Sequence, residues 1–419
     1  MMNLEGLILS QSNPFKKKLS EQHLKIINSV ESAVKTTGMS VYLVGGTVRD
    51  ILLNRSPLDL DFLIEGSSDT QYFANLIGGT ILQESQFGTF KIDFEGEIVD
   101  FAFSRQESYP TPGQLPIVEK GTFRQDLHRR DFTMNSIAIA IGEDGEFSTL
   151  IDPFDGENDI REKKIKILHD KSFQDDPTRI LRLFRYSGRL GFTVEDSTKN
   201  ILIRDLHMLD ILSPDRLRNE LQLILNEDTA YLSLKEYVNY DQKMYLFDGA
   251  KINVANLIKM DDEKVKSSKF SEKLKFAILA LSTPIELLDR CISKFNFQSD
   301  WLDIIDSVFE LQNVRKNLIE PGIRNSDLFA LLNKINENVL KACLIIDGFS
   351  DVKDVILIYL NDLENLSIQL SGKDLIQLGV PEGPNIGKIL NELHVAKLNG
   401  IIFSLDDEKD FVRKIFNKN

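Results

Sequence analysis

The hydrophobic period of this 419-residue chain changes near Gln174. Before that point short apolar runs alternate with helical stretches. After it, apolar residues follow helical spacing, with Glu and Lys on the polar faces and few strand signals. Neither a single sheet nor a single bundle accommodates both patterns, so the reading is an α+β head followed by all-α regions. In the first part the pattern predicts a helix over 21–35, a strand over 41–45 (VYLVG) and a helix over 48–53. Further strands are expected over 60–64, 90–93, 98–103 and 136–141. The stretch 108–121 (SYPTPGQLPIVEKG) holds three of the twelve prolines and reads as an exposed, mobile loop between a strand and a helix. A second shift near residue 370 gathers glycines and a proline ahead of a helix, and no internal repeat is present. The expected division is 1–165, 166–228, 229–345 and 346–419.

Composition narrows the class. A net charge of −14 with 42% apolar and 27% charged residues is ordinary for a globular chain of two or three domains, and excludes collagen and disulfide-stapled scaffolds. The two cysteines, Cys291 and Cys343, have no metal-ligand or redox spacing and read as reduced core thiols, so zinc is not expected. The apolar runs are too short to span a membrane, and the first residues carry no signal-peptide pattern, so a cytoplasmic protein without membrane contact is expected. The acidic total argues against indiscriminate nucleic-acid binding. It also hides a local asymmetry: residues 161–189 contain nine Lys or Arg against four acids, a place to expect phosphate.

Asp59 and Asp61 stand two apart in LDLDFLIEG, which on a strand puts both carboxylates on one face. Two such acids repel unless a hard cation neutralises them, and Mg²⁺ held by one or two carboxylates and substrate phosphates is the usual solution. Asp100, in IVDFAF, is a candidate third ligand. An isolated D-x-D also suits a solvated strand edge. Here, however, Gly45 and Gly46 lie upstream, where an apolar strand meets a helix carrying Arg49, and side-chain-free residues there let phosphate oxygens approach the backbone. Along 176–189, Arg182, Arg185 and Arg189 share a helical arc, with Asp176 and Arg179 displaced toward an adjoining face. Such a helix can offer a carboxylate and a guanidinium to the polar edge of a base and its later arginines to phosphate. It can equally be a solvated cationic face. The five histidines share no ligand spacing, and no Ser/His/Asp or Cys/His constellation is present.

The stretch LVGGTVRDILLNRSPLDLDFLIEG, from Leu43, resembles the active-site signature of class II tRNA nucleotidyltransferases and bacterial poly(A) polymerases, in the polymerase β-like nucleotidyltransferase superfamily. DLHRRDFTMNSIAI, IDPFDGENDI, QDDPTRILRLFRYSGRLGF and LSPDRLRNELQLIL are similar to its successive motifs, in order, across residues 41 to 226. The resemblance implies a catalytic head, a base-reading helical neck, and a helical body and tail that grip tRNA. In its light Asp59 and Asp61 hold metal, and Gly45, Gly46 and Arg49 hold the triphosphate. Asp176 and Arg179 act as a protein template pairing with C or A, with nucleotide contacts at Arg182 and Arg185. Arg130 touches nucleotide, Asp131 helps recognise ribose, and Asn135 supports them. Arg105 is a candidate for reaching the triphosphate. Arg216 and Glu220, four apart, read as an ion pair or as support for the base-reading helix. GKDLIQLGVPEGPNIGKIL, from Gly372, is similar to the family's tail element, whose turn before Lys388 suits an RNA phosphate or a plain helix cap.

The implied activity is Mg²⁺-dependent, template-independent addition of CMP and AMP from CTP and ATP to a tRNA 3′ end, releasing pyrophosphate. The implied partner is tRNA, through its acceptor and T arms, with no obligate protein partner. A CC-only or A-only enzyme, a poly(A) polymerase and an inactive RNA-binding homologue are the alternatives. The chain departs from the family pattern in three places: Asn54 replaces a usual glycine, Asp175 a usual glutamate, and Tyr186-Ser187-Gly188 the usual Phe-Ala-Ala. The 107–121 stretch carries one basic residue, Lys120, so the arginine-containing flexible loop of some members does not map onto it.

Overall fold

A computed structural model describes residues 15–66, 69–85, 88–142, 147–269 and 271–416. The chain divides into two compact units, Met1–Leu221 with Glu236–Leu246, and Gln222–Lys235 with Phe247–Asn419.

The first unit is built on α1 (Glu21–Thr37), β1 (Ser40–Val44), α2 (Gly46–Leu52), β2 (Asp61–Glu65), α3 (Thr70–Ile77), β3 (Thr80–Glu84), β4 (Thr89–Phe94) and β5 (Glu97–Phe103). Next come β6 (Arg105–Ser108), β7 (Ile117–Lys120), α4 (Phe123–His128), β8 (Ala138–Ile141) and β9 (Phe147–Ile151). After α5 (Gly156–Glu162) and the short β10 (Lys164–Ile165), α6 (Ser172–Asp175) and α7 (Thr178–Leu190) complete the part that carries the site. Seven strands form one sheet in the order β3-β4-β5-β2-β1-β8-β9, antiparallel except for the parallel pair β2 and β5. The expected strands and helices are present with ends shifted by a few residues, and β3, which is mostly exposed, lacks the apolar alternation that would mark it in the sequence.

Side-chain alternation divides the sheet into two faces. Phe62, Phe90 and Phe101 stack on one, at 5.0 Å and 5.5 Å, with the Phe73 ring of α3 edge-on to them. Val44, Leu63 and Ala138 pack on the other with Leu127 and Ala102. Because the period is two, Asp61 shares the face of Leu63, and Asp100 that of Ala102. The apolar packing of both faces thus decides where the acids point.

Two departures from the family pattern acquire a reason. Asn54 has φ +58°, a left-handed turn after α2 that glycine suits and asparagine tolerates. The expected open loop at 108–121 is instead a hairpin of paired β6 and β7, with its tip tied down by Gly113 N–H donating to the Gln174 carbonyl at 3.0 Å. The prolines fall in the eight-residue connection 109–116 between the strands, where they cost no ladder hydrogen bond.

In the second unit the elements formed by the described residues are helices. Phe276, Phe295, Phe297 and Trp301 form an aromatic cluster, and Cys291 and Cys343 are free buried thiols, as their spacing predicted. Leu375, Leu393, Ala396 and Val412 core the C-terminal helices, and the GPNIG turn opens the helix Pro384–Leu398. Among the described residues no helix is long and apolar enough to cross a membrane.

Candidate active site

A cavity of about 620 Å³ in the first unit is lined by Gly45, Gly46, Arg49, Asp59, Asp61, Arg130, Asp131, Asp176, Arg179 and Arg182. Residues separated by more than a hundred positions, all chosen from the sequence, thus share one wall system. Asp100 and Arg185 are not among its lining residues.

The floor comes from the β1–α2 turn and the start of β2. Gly45 has φ +66°, and a Cβ there would lie 2.9 Å from Arg130 Nη1 and 3.7 Å from Asp61 Oδ2. Only glycine leaves that space open. Thr47, which carried no signal in the sequence, latches the turn to the acids: its hydroxyl donates to the Asp59 carbonyl and accepts from Asp61 N–H, each at 3.0 Å. Asp59 is exposed and Asp61 half-buried. Burial pushes the Asp61 carboxyl up to about 6, with Asp100 and Asp59 adding to the rise and Arg130 and Lys91 opposing it. A carboxylate left short of positive charge beside a second one is the donor set that suits a hard divalent cation. Among the described residues no group of three or more His, Cys, Asp or Glu side chains is placed to hold a metal, so phosphate and water oxygens would complete the shell around Asp59 and Asp61.

Arg49, 2% exposed, has no fork to spare: Nε and Nη2 donate to Asp50 at 2.9 and 2.8 Å, and Nη1 to Asn135 Oδ1 at 2.8 Å. It presents charge to the cavity from a fixed position. Asn135 passes the chain on, donating to Asp131 Oδ1 at 2.9 Å, and Arg182 donates twice to Asp131 Oδ2 at 2.9 and 2.6 Å. Burial opposes the Asp131 charge, yet Arg182 and Asn135 hold the carboxyl down at about 2. Both oxygens of Asp131 are therefore committed within the protein. Tyr186 lies among three guanidinium groups, with Arg49, Arg182 and Arg185 at 5.2, 5.8 and 5.2 Å from its ring centroid. Arg130 is held by Asp126, a fully buried acid that also takes Arg129. Asp126 sits inside a quoted motif, but nothing in the sequence marks it as the clamp.

The Asp176 and Arg179 end of the cavity carries more internal bonds than its sequence reveals. Asp176 Oδ1 accepts from Thr178 N–H at 3.0 Å, Thr178 Oγ1 at 2.6 Å and Arg216 Nη2 at 2.5 Å, whereas Oδ2 takes none of these bonds. Arg179 spends Nη1 on Ser172 Oγ at 2.8 Å and Nη2 on the Arg129 carbonyl at 2.6 Å. Arg216 faces Asp176 instead of forming an i, i+4 pair with Glu220, whose carboxyl is raised by burial. Its guanidinium also reaches the Gly113 carbonyl at 2.7 Å, joining the hairpin tip to Asp176. From that hairpin and its base Tyr109, Leu115, Pro116 and Val118 supply a partly apolar wall that the sequence did not disclose, and Arg105 lines the cavity while bonded to Glu107.

The chain is similar to known proteins in sequence and in fold. Residues 41–166 match the family model described as the poly A polymerase head domain. The chain is 33% identical over 392 residues to an A-adding tRNA nucleotidyltransferase of Geobacter sulfurreducens, covering 88% of this chain and 44% of that protein. It is 28% identical over 415 residues to an A-adding tRNA nucleotidyltransferase of Halalkalibacterium halodurans, covering 95% and 94%. The chain thus spans less than half of the first relative and nearly all of the second. In fold it is similar to an apo form of a CCA-adding enzyme, with a TM-score of 0.77, 24% identity, and 97% and 98% of the two chains covered.

Proposed function

This chain belongs to the tRNA nucleotidyltransferase and poly(A) polymerase family, and from that premise we propose that it transfers CMP and AMP from CTP and ATP to the 3′ end of tRNA, without a nucleic-acid template. The observation that carries the reading is the sharing of one cavity by the acid pair Asp59 and Asp61 and the clamped Asp176. The reaction needs a 3′-hydroxyl to attack the α-phosphorus and the bond to pyrophosphate to break, so the site must hold phosphates at one end and a base at the other. Arg49 and Arg130 give the phosphate end fixed positive charge, and Gly45 keeps it open. At the base end, Asp176 Oδ2 is an acceptor for an exocyclic amino group, which C and A share and U lacks. Mg²⁺ held by Asp59 and Asp61 would activate the hydroxyl and offset charge on the phosphates.

A-only addition is the second reading, favoured by the names of the two relatives above. The test is extension, at single-nucleotide resolution, of tRNAs ending before the first C, after it, and after CC, with CTP alone, ATP alone and both. Extension of all three to CCA is expected. Action on the CC-ended tRNA alone, with ATP alone, selects the second reading, and no extension of any substrate rejects both.

A further inference from the structure

Arg124 and His128 stand four apart on α4, so the helix presents both on one face. That face borders a second cavity in the first unit, of about 560 Å³, which shares Glu107, Tyr109, Arg129 and Arg179 with the lining of the first. Three aromatic rings line the second cavity alone: His128, Phe154 from the turn before α5, and His169 from the turn before α6. The His128 and His169 rings stack with centroids 5.5 Å apart and planes 16° apart, and Phe154 meets His128 at 5.6 Å. Phe154 and His169 are half-buried and His128 is exposed, so the row keeps ring surface open to the cavity instead of closing into the core. Burial lowers the His169 imidazole to about 4, with Arg179 and His128 acting in the same sense, so this ring is uncharged at neutral pH. Such a row is a stacking surface, and every nucleobase has a π-face to lay on it. Charge adds to the pattern. Three arginines line this cavity against two acids, of which Glu107 is taken up by Arg105 and Arg129, and Asp175 lies 3.9 Å from His169. Arg124 is exposed and has no ion-pair partner among the described residues, so its guanidinium is unspent.

We propose that this second cavity binds an unpaired nucleotide, its base stacked on the row of His128, His169 and Phe154 and its phosphate held by Arg124. A free nucleoside phosphate and the single-stranded end of an RNA both carry that chemistry, and stacking is tolerant of base identity. The site is separate from the one proposed for the transferred nucleotide, because Asp59, Asp61 and Asp176 do not line it. Arg129 and Arg179 belong to both walls, so an occupant lies against groups that also border the active cavity.

The five histidines, His23, His128, His169, His207 and His394, serve as reporters, and two of them line this cavity. Imidazole carbon–proton correlation spectra of the full chain, with labelled histidine and chelator at pH 8, are followed as AMP is raised through the millimolar range. The His128 and His169 resonances should move and the other three should stay. Ribose 5-phosphate, which lacks a base, should move neither. Equal shifts with it would overturn the proposal, as would no shift with AMP or with any RNA. Arg124→Ala should raise the AMP midpoint by roughly three- to tenfold, and His128→Ala should raise the midpoint read at His169 by a similar factor. Both side chains are exposed, so neither change disturbs the core. Midpoints unchanged in both variants would overturn the proposal, because the shifts would then report a nucleotide in the active cavity through the shared wall. A tRNA ending in CC and the same tRNA trimmed to its paired acceptor end distinguish the sources. Shifts with the first and not the second assign the site to the RNA end, and shifts with AMP but neither RNA assign it to free nucleotide. Equal shifts with both RNAs reject an unpaired nucleotide as the ligand.

Discussion

Arg216 donates to Asp176 Oδ1 at 2.5 Å and, through its other terminal nitrogen, to the Gly113 carbonyl at 2.7 Å. One side chain thereby orients the carboxylate proposed to read the base and anchors the hairpin that walls the same cavity. Charge-assisted bonds of this kind contribute about 1.5–3 kcal/mol each. Arg216→Ala should therefore lower kcat/KM for nucleotide addition by roughly ten- to hundredfold and narrow the preference among the four nucleoside triphosphates. Single-turnover incorporation of each nucleotide is the measurement, and Arg216→Lys, which cannot bridge both acceptors in a plane, should recover only part of the loss.

Asp61 imposes a pH signature on the metal-free protein. Its folded-state carboxyl, pushed up to about 6 by burial, lies above its ordinary value, so its contribution to stability is fully present below the ordinary value and is lost as pH rises through about 6. With chelator present, Asp61→Asn should therefore melt at a higher temperature than the parent at pH 7.5, and the gap should close toward pH 4. Added Mg²⁺ should stabilise the parent more at pH 7.5 than at pH 5 and leave the variant unmoved. Thermal melts at these pH values decide it.

Asp131 works in the opposite sense. Its carboxyl is held down at about 2, chiefly by Arg182 against the opposition of burial, so its stabilisation is present above its ordinary value and is lost as pH falls through about 2. Asp131→Ala leaves Arg182 facing an uncompensated site and should cost about 2–4 kcal/mol, below the largest values for buried pairs because a third of the Arg182 side chain is solvent-accessible. Urea denaturation at pH 7 measures the cost, and the deficit should hold constant down to about pH 4 before shrinking.

Gly113 fixes the hairpin tip. It has φ +73°, and a Cβ there would come within 2.6 Å of Ile211 Cδ1. Gly113→Ala should weaken the local fold by about 1–2 kcal/mol with little change in global stability. Amide hydrogen exchange across 109–116 should accelerate by roughly 5- to 30-fold, a range that corresponds to that energy. Protection equal to the parent's would show that the tip is held by other contacts.

The site was legible wherever short-range geometry carried it. The two-residue spacing of Asp59 and Asp61 follows from the period of a strand, and the openness at Gly45 from its missing side chain. These are properties of adjacent residues, so the sequence contains them. Thr47 and the true partners of Arg216 escaped notice because those partners lie far away in the chain or are backbone groups with no residue identity: Thr47 holds the Asp59 carbonyl, and Arg216 reaches back 40 positions to Asp176 and 103 to Gly113.

What the sequence determined by itself was the α+β head, the helical remainder and the identity of the groups that meet in the cavity, because periodicity and motif spacing are written locally. Which partners those groups take was decided only by the tertiary structure. Asp100 is an acid on the face of Asp61, and the register of β4 sets Lys91 against both its oxygens. Arg49 and Asp131 are likewise committed to each other through Asn135. Strand register and the burial that forces polar groups to pair depend on contacts across the whole sheet, and no local pattern records them.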